Sequence, residues 1–161
     1  ELRYPEEISC ILVESYFLAA ELDDQKPHNA LAARFSIPFA IATTLVNRSS
    51  KVLSFTGSAL SNPAILALAA KTTVKENSHM SAKLPDLRPA LVNITMKNGS
   101  SFRAEVETNR GDWQDPYDSA QLKDKYMSLT TRCWSDQESE EVYKNLMIMD
   151  EFSHVTKVFD T

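Results

Sequence analysis

The sequence predicts an α+β fold: a two-layer domain with a mainly antiparallel four-stranded sheet and helices packed on one face. Three observations point there. Ala90–Lys97 and Ser100–Thr108 alternate apolar and polar residues around Asn98-Gly99, the pattern of a hairpin with one wet and one dry face. Helix-start signals stand before that hairpin, at Ser36 with Pro38 and at Asn62-Pro63, and after it, at Asp118-Ser119 and Ser135. Helices grouped around a run of strands fit a sheet covered on one side.

The elements follow in order. Glu7–Leu18 is rich in β-branched and aromatic residues, with Ile8, Cys10 and Leu12 on one side and Ile11, Val13 and Phe17 on the other. Apolar residues on both faces predict an interior strand. Glu21–Gln25 is an acidic turn. Ile37–Val46 holds eight apolar residues and two threonines, so a helix over Ile37–Asn47 is apolar nearly all round and belongs in the core. Ser36 caps it, and Pro38 fits its first turn, where the missing N–H costs nothing. Lys51–Thr56 has no clear type. Pro63–Lys71 is a short alanine-rich helix, Thr72–Lys75 a brief strand and Glu76–Arg88 an exposed loop.

In the hairpin, Asn98-Gly99 predicts a type I′ turn. Ala90, Val92, Ile94 and Met96 share one face with Phe102, Ala104 and Val106, opposed by Arg103, Glu105 and Glu107. Asn109–Tyr117 is turn-rich. A helix capped by Asp118 or Ser119 then runs to about Cys133, with Leu122, Tyr126, Leu129 and Cys133 as its apolar stripe. Ser135 with Glu138 makes a capping box for the next helix, whose stripe is Val142, Leu146 and Met149. Glu151–Thr161 is a short tail with helical character.

Composition removes several classes of function. A net charge of −5 without a basic run argues against nucleic acid as a partner. No apolar run is long enough to span a bilayer. Three glycines leave no room for a phosphate-cradling loop. His28, His79 and His154 share no ligand spacing, so no metal is expected, and each reads as a surface residue. Cys10 and Cys133 read as buried free thiols in a reducing, cytoplasmic setting.

What remains is the loop before the buried helix. Lys26, His28 and Arg34 lie beside a helix N-terminus, a place that suits a carboxylate. Together they form a candidate site for a di- or tricarboxylate, held by charge-assisted hydrogen bonds. The competing reading is solvated loop charges facing Asp23 and Asp24.

These residues carry a resemblance. Ala33–Val46, ARFSIPFAIATTLV, resembles the segment of the MmgE/PrpD family in which an alanine, a cation or amide, an aromatic residue or histidine and a serine precede an aromatic residue, an alanine and a leucine at three-residue intervals. The likeness continues through Phe55, Lys71–Lys75, the Asn98-Gly99 turn, and Gly111, Pro116, Leu122 and Lys125. It implies a cofactor-independent lyase or isomerase, such as 2-methylcitrate dehydratase, cis-aconitate decarboxylase or iminodisuccinate epimerase, usually homodimeric. It also implies that residues 1–161 are the smaller C-terminal domain, truncated at its N-terminal end, as a chain starting at Glu1 without methionine suggests.

The family's catalytic residues then lie mostly in a helical domain outside this sequence, and no catalytic residue is assigned here. Arg34, Ser36, Phe39 and His28 are the expected substrate-binding residues. Relatives often carry tyrosine at the position of Phe39, so a proton-transfer role there loses its hydroxyl. The alternative function is a stand-alone, non-catalytic binding or dimerisation module.

Overall fold

The computed structural model describes residues 5–160, which form two compact units, one ending at Asn109 and one beginning at Arg110. In the first unit β1 (Ile8–Ser15) leads through the helical segments α1 (Phe17–Ala20), α2 (Ala30–Arg34), α3 (Ile37–Asn47), α4 (Gly57–Leu60) and α5 (Pro63–Ala69) into β2 (Thr72–Glu76). The turn α6 (Ser78–Ser81) follows, then the hairpin β3 (Ala90–Met96) and β4 (Ser101–Val106). The strand order is β2-β1-β3-β4.

The sheet is mixed. β1 pairs antiparallel with β3, and β3 with β4, but β1 and β2 run parallel. A chain returning parallel needs a crossover of a dozen or more residues, and α1–α5 supply it. β1 is interior, as its two-sided apolar pattern predicts. Two details of that strand differ from the expectation. The register slips between Ile8 and Cys10, a bulge, so Ile8 joins the buried side of Ile11 and Val13 while Cys10 is exposed. The strand also stops at Ser15, which leaves Phe17 and Leu18 exposed on α1.

The core lies between one face of the sheet and α3 with α5. Ile8, Ile11, Val13 and Ile94 meet Phe39, Ala42, Ile65, Leu68 and Ala69 there, with Phe55 packed against the cluster. Phe39 is the largest fully buried side chain, and its ring lies 6.2 Å from that of Phe55. Buried polar side chains in this core are partnered: Thr43 Oγ1 donates to the Ser54 carbonyl at 2.8 Å, and Ser15 Oγ to the Pro89 carbonyl at 2.7 Å. Such pairing is what makes their burial tolerable. The segment expected to be an exposed loop, Glu76–Arg88, contains α6 and buries Met80.

The hairpin turn also differs. Met96 N–H donates to the Ser100 carbonyl at 2.8 Å and Gly99 N–H to the Met96 carbonyl at 3.0 Å. Of the loop residues only Gly99 has positive φ, at 85°, whereas a type I′ turn needs it at both central positions. The connection is therefore a three-residue loop closed by a glycine bulge. The side-chain register survives, because Ile94 still opposes Phe102 and Val92 opposes Ala104, but the expected division into one wet and one dry face does not: all of β4 is exposed, and Leu91, on the other side of β3 from Ile94, is buried.

The second unit holds α7 (Ser119–Thr130) and α8 (Asp136–Met147), followed by short 3-10 turns at Met149–Glu151 and Val155–Phe159. Both helices begin with a complete capping box, Asp118 with Gln121 and Ser135 with Glu138. Lys123 Nζ bridges to Glu140 at 2.7 Å, and Asn145 Nδ2 donates to the Val158 carbonyl at 3.1 Å. Its apolar stripes are less buried than the periodicity predicts. α7 buries none of its residues, Leu122 and Leu129 stay exposed, and Cys133 lies beyond the helix end in solvent. Among the described residues no helix is long and apolar enough to cross a membrane.

Candidate functional site

The loop from Glu21 to Ser36 is fixed at several points by its own sequence. The Asp24 carboxylate accepts from Lys26 N–H at 2.9 Å, and Asn29 caps α2 by accepting from Ala32 N–H at 2.8 Å. Ser36 is 1% exposed. Its hydroxyl accepts from Phe39 N–H at 2.9 Å and donates to the Asp24 carbonyl. Ile37 N–H donates to the Leu22 carbonyl at 2.9 Å. The N-cap therefore locks both the start of α3 and the incoming loop, which are twelve residues apart at Asp24 and Ser36.

This has a consequence for anion binding. Ile37 and Phe39 N–H are both engaged, Ala40 N–H donates to the Ser36 carbonyl, and Pro38 has none. The terminus of α3 presents no open donor of the kind a bound carboxylate uses. Phe39 points into the core. Arg34 and His28 are placed differently: both are exposed. Among the described residues the Lys26, His28 and Arg34 side chains make no hydrogen bond or ion pair, with Asp23 and Asp24 or with any other group. Of the four expected substrate-binding residues, His28 and Arg34 are exposed and Ser36 and Phe39 are buried.

A groove that sequence reasoning missed opens beyond the carboxyl ends of the parallel pair. Tyr16, Phe17, Leu18, Leu22, Leu84, Pro85 and Arg88 line about 460 Å³. One of its lining residues is tied to the neighbouring turn: Phe17 N–H donates to Ser81 Oγ at 2.9 Å, and Ser81 Oγ to Glu76 Oε1 at 2.8 Å. Leu22 belongs to the groove and also accepts from the start of α3, so groove and loop share an anchor. No sequence signal pointed to it: ligands favour the carboxyl ends of parallel strands, but the parallel direction of β1 and β2 shows only in the fold. A second groove of about 360 Å³ lies by Pro5, Val46, Ala64 and Lys71. Its lysine donates to the Ile8 carbonyl at 2.7 Å. Among the described residues no group of histidine, cysteine, aspartate and glutamate could hold a metal ion.

The family model described as MmgE/PrpD C-terminal domain matches residues 1–147. The chain belongs to the MmgE/PrpD family. No curated protein matches it. In this MmgE/PrpD chain the residues that carried the resemblance have visible structural tasks. Ala33 is fully buried, Ser36 is the α3 cap, and Ala42 lies in the core. Gly111 has φ 99°, and a Cβ there would lie 2.6 Å from Tyr117. The Tyr117 ring carries Arg110 at 5.7 Å and Lys125 at 4.9 Å from its centroid, the geometry of cation–π attraction. Arg110 also pairs with Asp115 and Gln121.

Proposed function

We propose that this chain is the smaller domain of a cofactor-independent lyase or isomerase of 2-methylcitrate dehydratase type, acting on small di- or tricarboxylates. In this reading it forms one wall of the substrate cleft and is inactive alone. Arg34 is the principal carboxylate contact, with His28 as a second. Ser36 and Phe39 act from below by holding the corner that carries Arg34. The observation that supports the reading is the MmgE/PrpD match over residues 1–147 together with unpartnered cations on a loop pinned at Asp24, Asn29 and Ser36.

The chemistry implied is proton abstraction beside a carboxylate, followed by loss of water or carbon dioxide or by reprotonation. It requires fixed cations and a base. The wall described here supplies cations, and the base and acid come from the family's helical domain. That domain, and a homodimeric whole, are parts of the proposal.

Two measurements test it. The 161-residue chain should give no turnover of cis-aconitate or 2-methylcitrate; sustained turnover by this chain alone would overturn the one-wall reading. In the complete two-domain protein, Arg34→Ala should weaken substrate binding about 10- to 100-fold, the range for a lost charge-assisted hydrogen bond, with little change in melting temperature. A parallel fall in both would make Arg34 a structural residue and favour the non-catalytic module.

A further inference from the structure

We propose that Asn98, in the turn between β3 and β4, is a modification site that deamidates without an enzyme and gives the turn a carboxylate. Asn98 is the only asparagine of the chain followed by glycine. Deamidation starts when the next residue's main-chain nitrogen attacks the asparagine Cγ. A Cβ on that next residue crowds the approach, whereas glycine leaves it open and tolerates the backbone rotation it requires. A Cβ built at Gly99 would meet nothing within 4 Å, so the neighbourhood of the reacting atoms is also clear. Asn98, Gly99 and Ser100 are all exposed, so water reaches both groups.

The turn adds a geometric reason. Asn98 Oδ1 accepts twice from one residue, from Ser100 N–H at 2.9 Å and from Ser100 Oγ at 2.7 Å. Negative charge develops on that oxygen as a nucleophile adds to Cγ. Donors already aimed at it stabilise the tetrahedral state, as an oxyanion hole does. Asn98 Nδ2, the leaving group, makes no hydrogen bond among the described residues. One bond opposes the reaction, from Gly99 N–H to the Met96 carbonyl at 3.0 Å. It has to open first, and an exposed turn opens at little cost. The nearest rival is Asn77, whose oxygen also accepts twice, from His79 and Met80 N–H. Its nitrogen, however, contacts Glu14 Oε1 at 3.5 Å, and the next residue, Ser78, carries a Cβ and begins α6.

The steps balance with water alone. Gly99 N gives its proton to hydroxide, and its electron pair forms a bond to Asn98 Cγ. The Cγ–Nδ2 bond breaks, and Nδ2 takes a proton from water and leaves as ammonia. Water then opens the cyclic imide at either carbonyl. Addition at Cγ breaks the new bond and leaves aspartate. Addition at the main-chain carbonyl breaks the original peptide bond and leaves isoaspartate, whose main chain runs through Cβ. Each event adds one negative charge to a chain of net charge −5. The aspartate form keeps an acceptor for Ser100. The isoaspartate form lengthens the loop by one main-chain atom, which draws Gly99 N–H away from the Met96 carbonyl.

The test is storage of the folded 161-residue chain in mildly alkaline heavy-oxygen water, followed by peptide mapping with mass spectrometry. The label should enter at residue 98, faster as pH rises, and an L-isoaspartyl methyltransferase should mark part of the product. Asn98→Asp should release no ammonia from the turn and should elute with the aspartate form by charge. Ser100→Ala should slow conversion about two- to tenfold, the rate equivalent of one exposed hydrogen bond. The proposal falls if Asn98 keeps its amide while the chain stays folded by circular dichroism, if Asn77 converts faster, or if Ser100→Ala converts as fast as the parent.

Discussion

Residues up to Asn109 and residues from Arg110 onward bury their apolar surface in different ways. The first unit has a layered core in which Ile11, Val13, Phe39, Ile65 and Leu68 are nearly inaccessible. In the second, among the described residues, only Ser139, Val142 and Val158 are buried, while caps, the Lys123–Glu140 bridge and the Tyr126–Tyr143 ring contact at 5.2 Å link its parts. Both units contain capped helices with apolar stripes. The difference is the sheet, which offers a broad apolar face to α3 and α5. The contrast teaches that a capped, periodic helix is a local statement, and burial is a statement about neighbours.

That contrast can be broken by substitution. Phe39→Ala should have the largest effect, about 3–5 kcal/mol of unfolding free energy, read by chemical denaturation. Ser36→Ala should cost about 1–2 kcal/mol, because it removes the α3 cap and leaves the Asp24 carbonyl without its donor. Val142→Ala should cost about 1 kcal/mol and lower hydrogen-exchange protection in α8 alone. A Val142→Ala loss as large as that of Phe39→Ala would erase the distinction between the units.

Acid sharpens it. The Ser135 N–H, and then the Ser135 hydroxyl, hold the Glu138 carboxyl below the ordinary glutamate range, and the Lys123 hydrogen bond does the same to Glu140. A lowered folded value means the stabilisation is complete above the unfolded glutamate value of about 4.3 and is lost as pH falls through the lower, folded value. Protection of the amides at the start of α8 should therefore drop below about pH 4, and Glu138→Gln should flatten that dependence. An unchanged profile would show that the cap contributes nothing measurable. The smallest effect belongs to the bare strand: Phe102→Thr should change monomer stability by about 1 kcal/mol or less, although it lies on the same face as Ile94.

Much of the fold was legible. The caps at Ser36, Asn62, Asp118 and Ser135 all appear, because capping is settled within four residues. The shared face of Ile94 and Phe102 was legible for a similar reason, since alternation depends only on the strand period. The parallel β1–β2 pair was not, because strand direction depends on where a long crossover lands. The site was legible in part. Lys26, His28 and Arg34 stood out by charge, but the closure of the α3 terminus by Leu22 and Ser36 involves partners up to fifteen residues away. The groove at Tyr16 and Leu84 brings together segments that share no motif.

The amino-acid order alone determined the local features: which residues cap, which side chains share a strand face, and which family pattern runs from Ala33 to Lys125. These rest on short-range sterics and hydrogen bonding. The tertiary structure decided what is covered. It buried Ile11 and left Phe102 in water on the same face, and it turned Phe39 inward while leaving Arg34 free. Coverage depends on which distant segment arrives to exclude water, and no local pattern contains that.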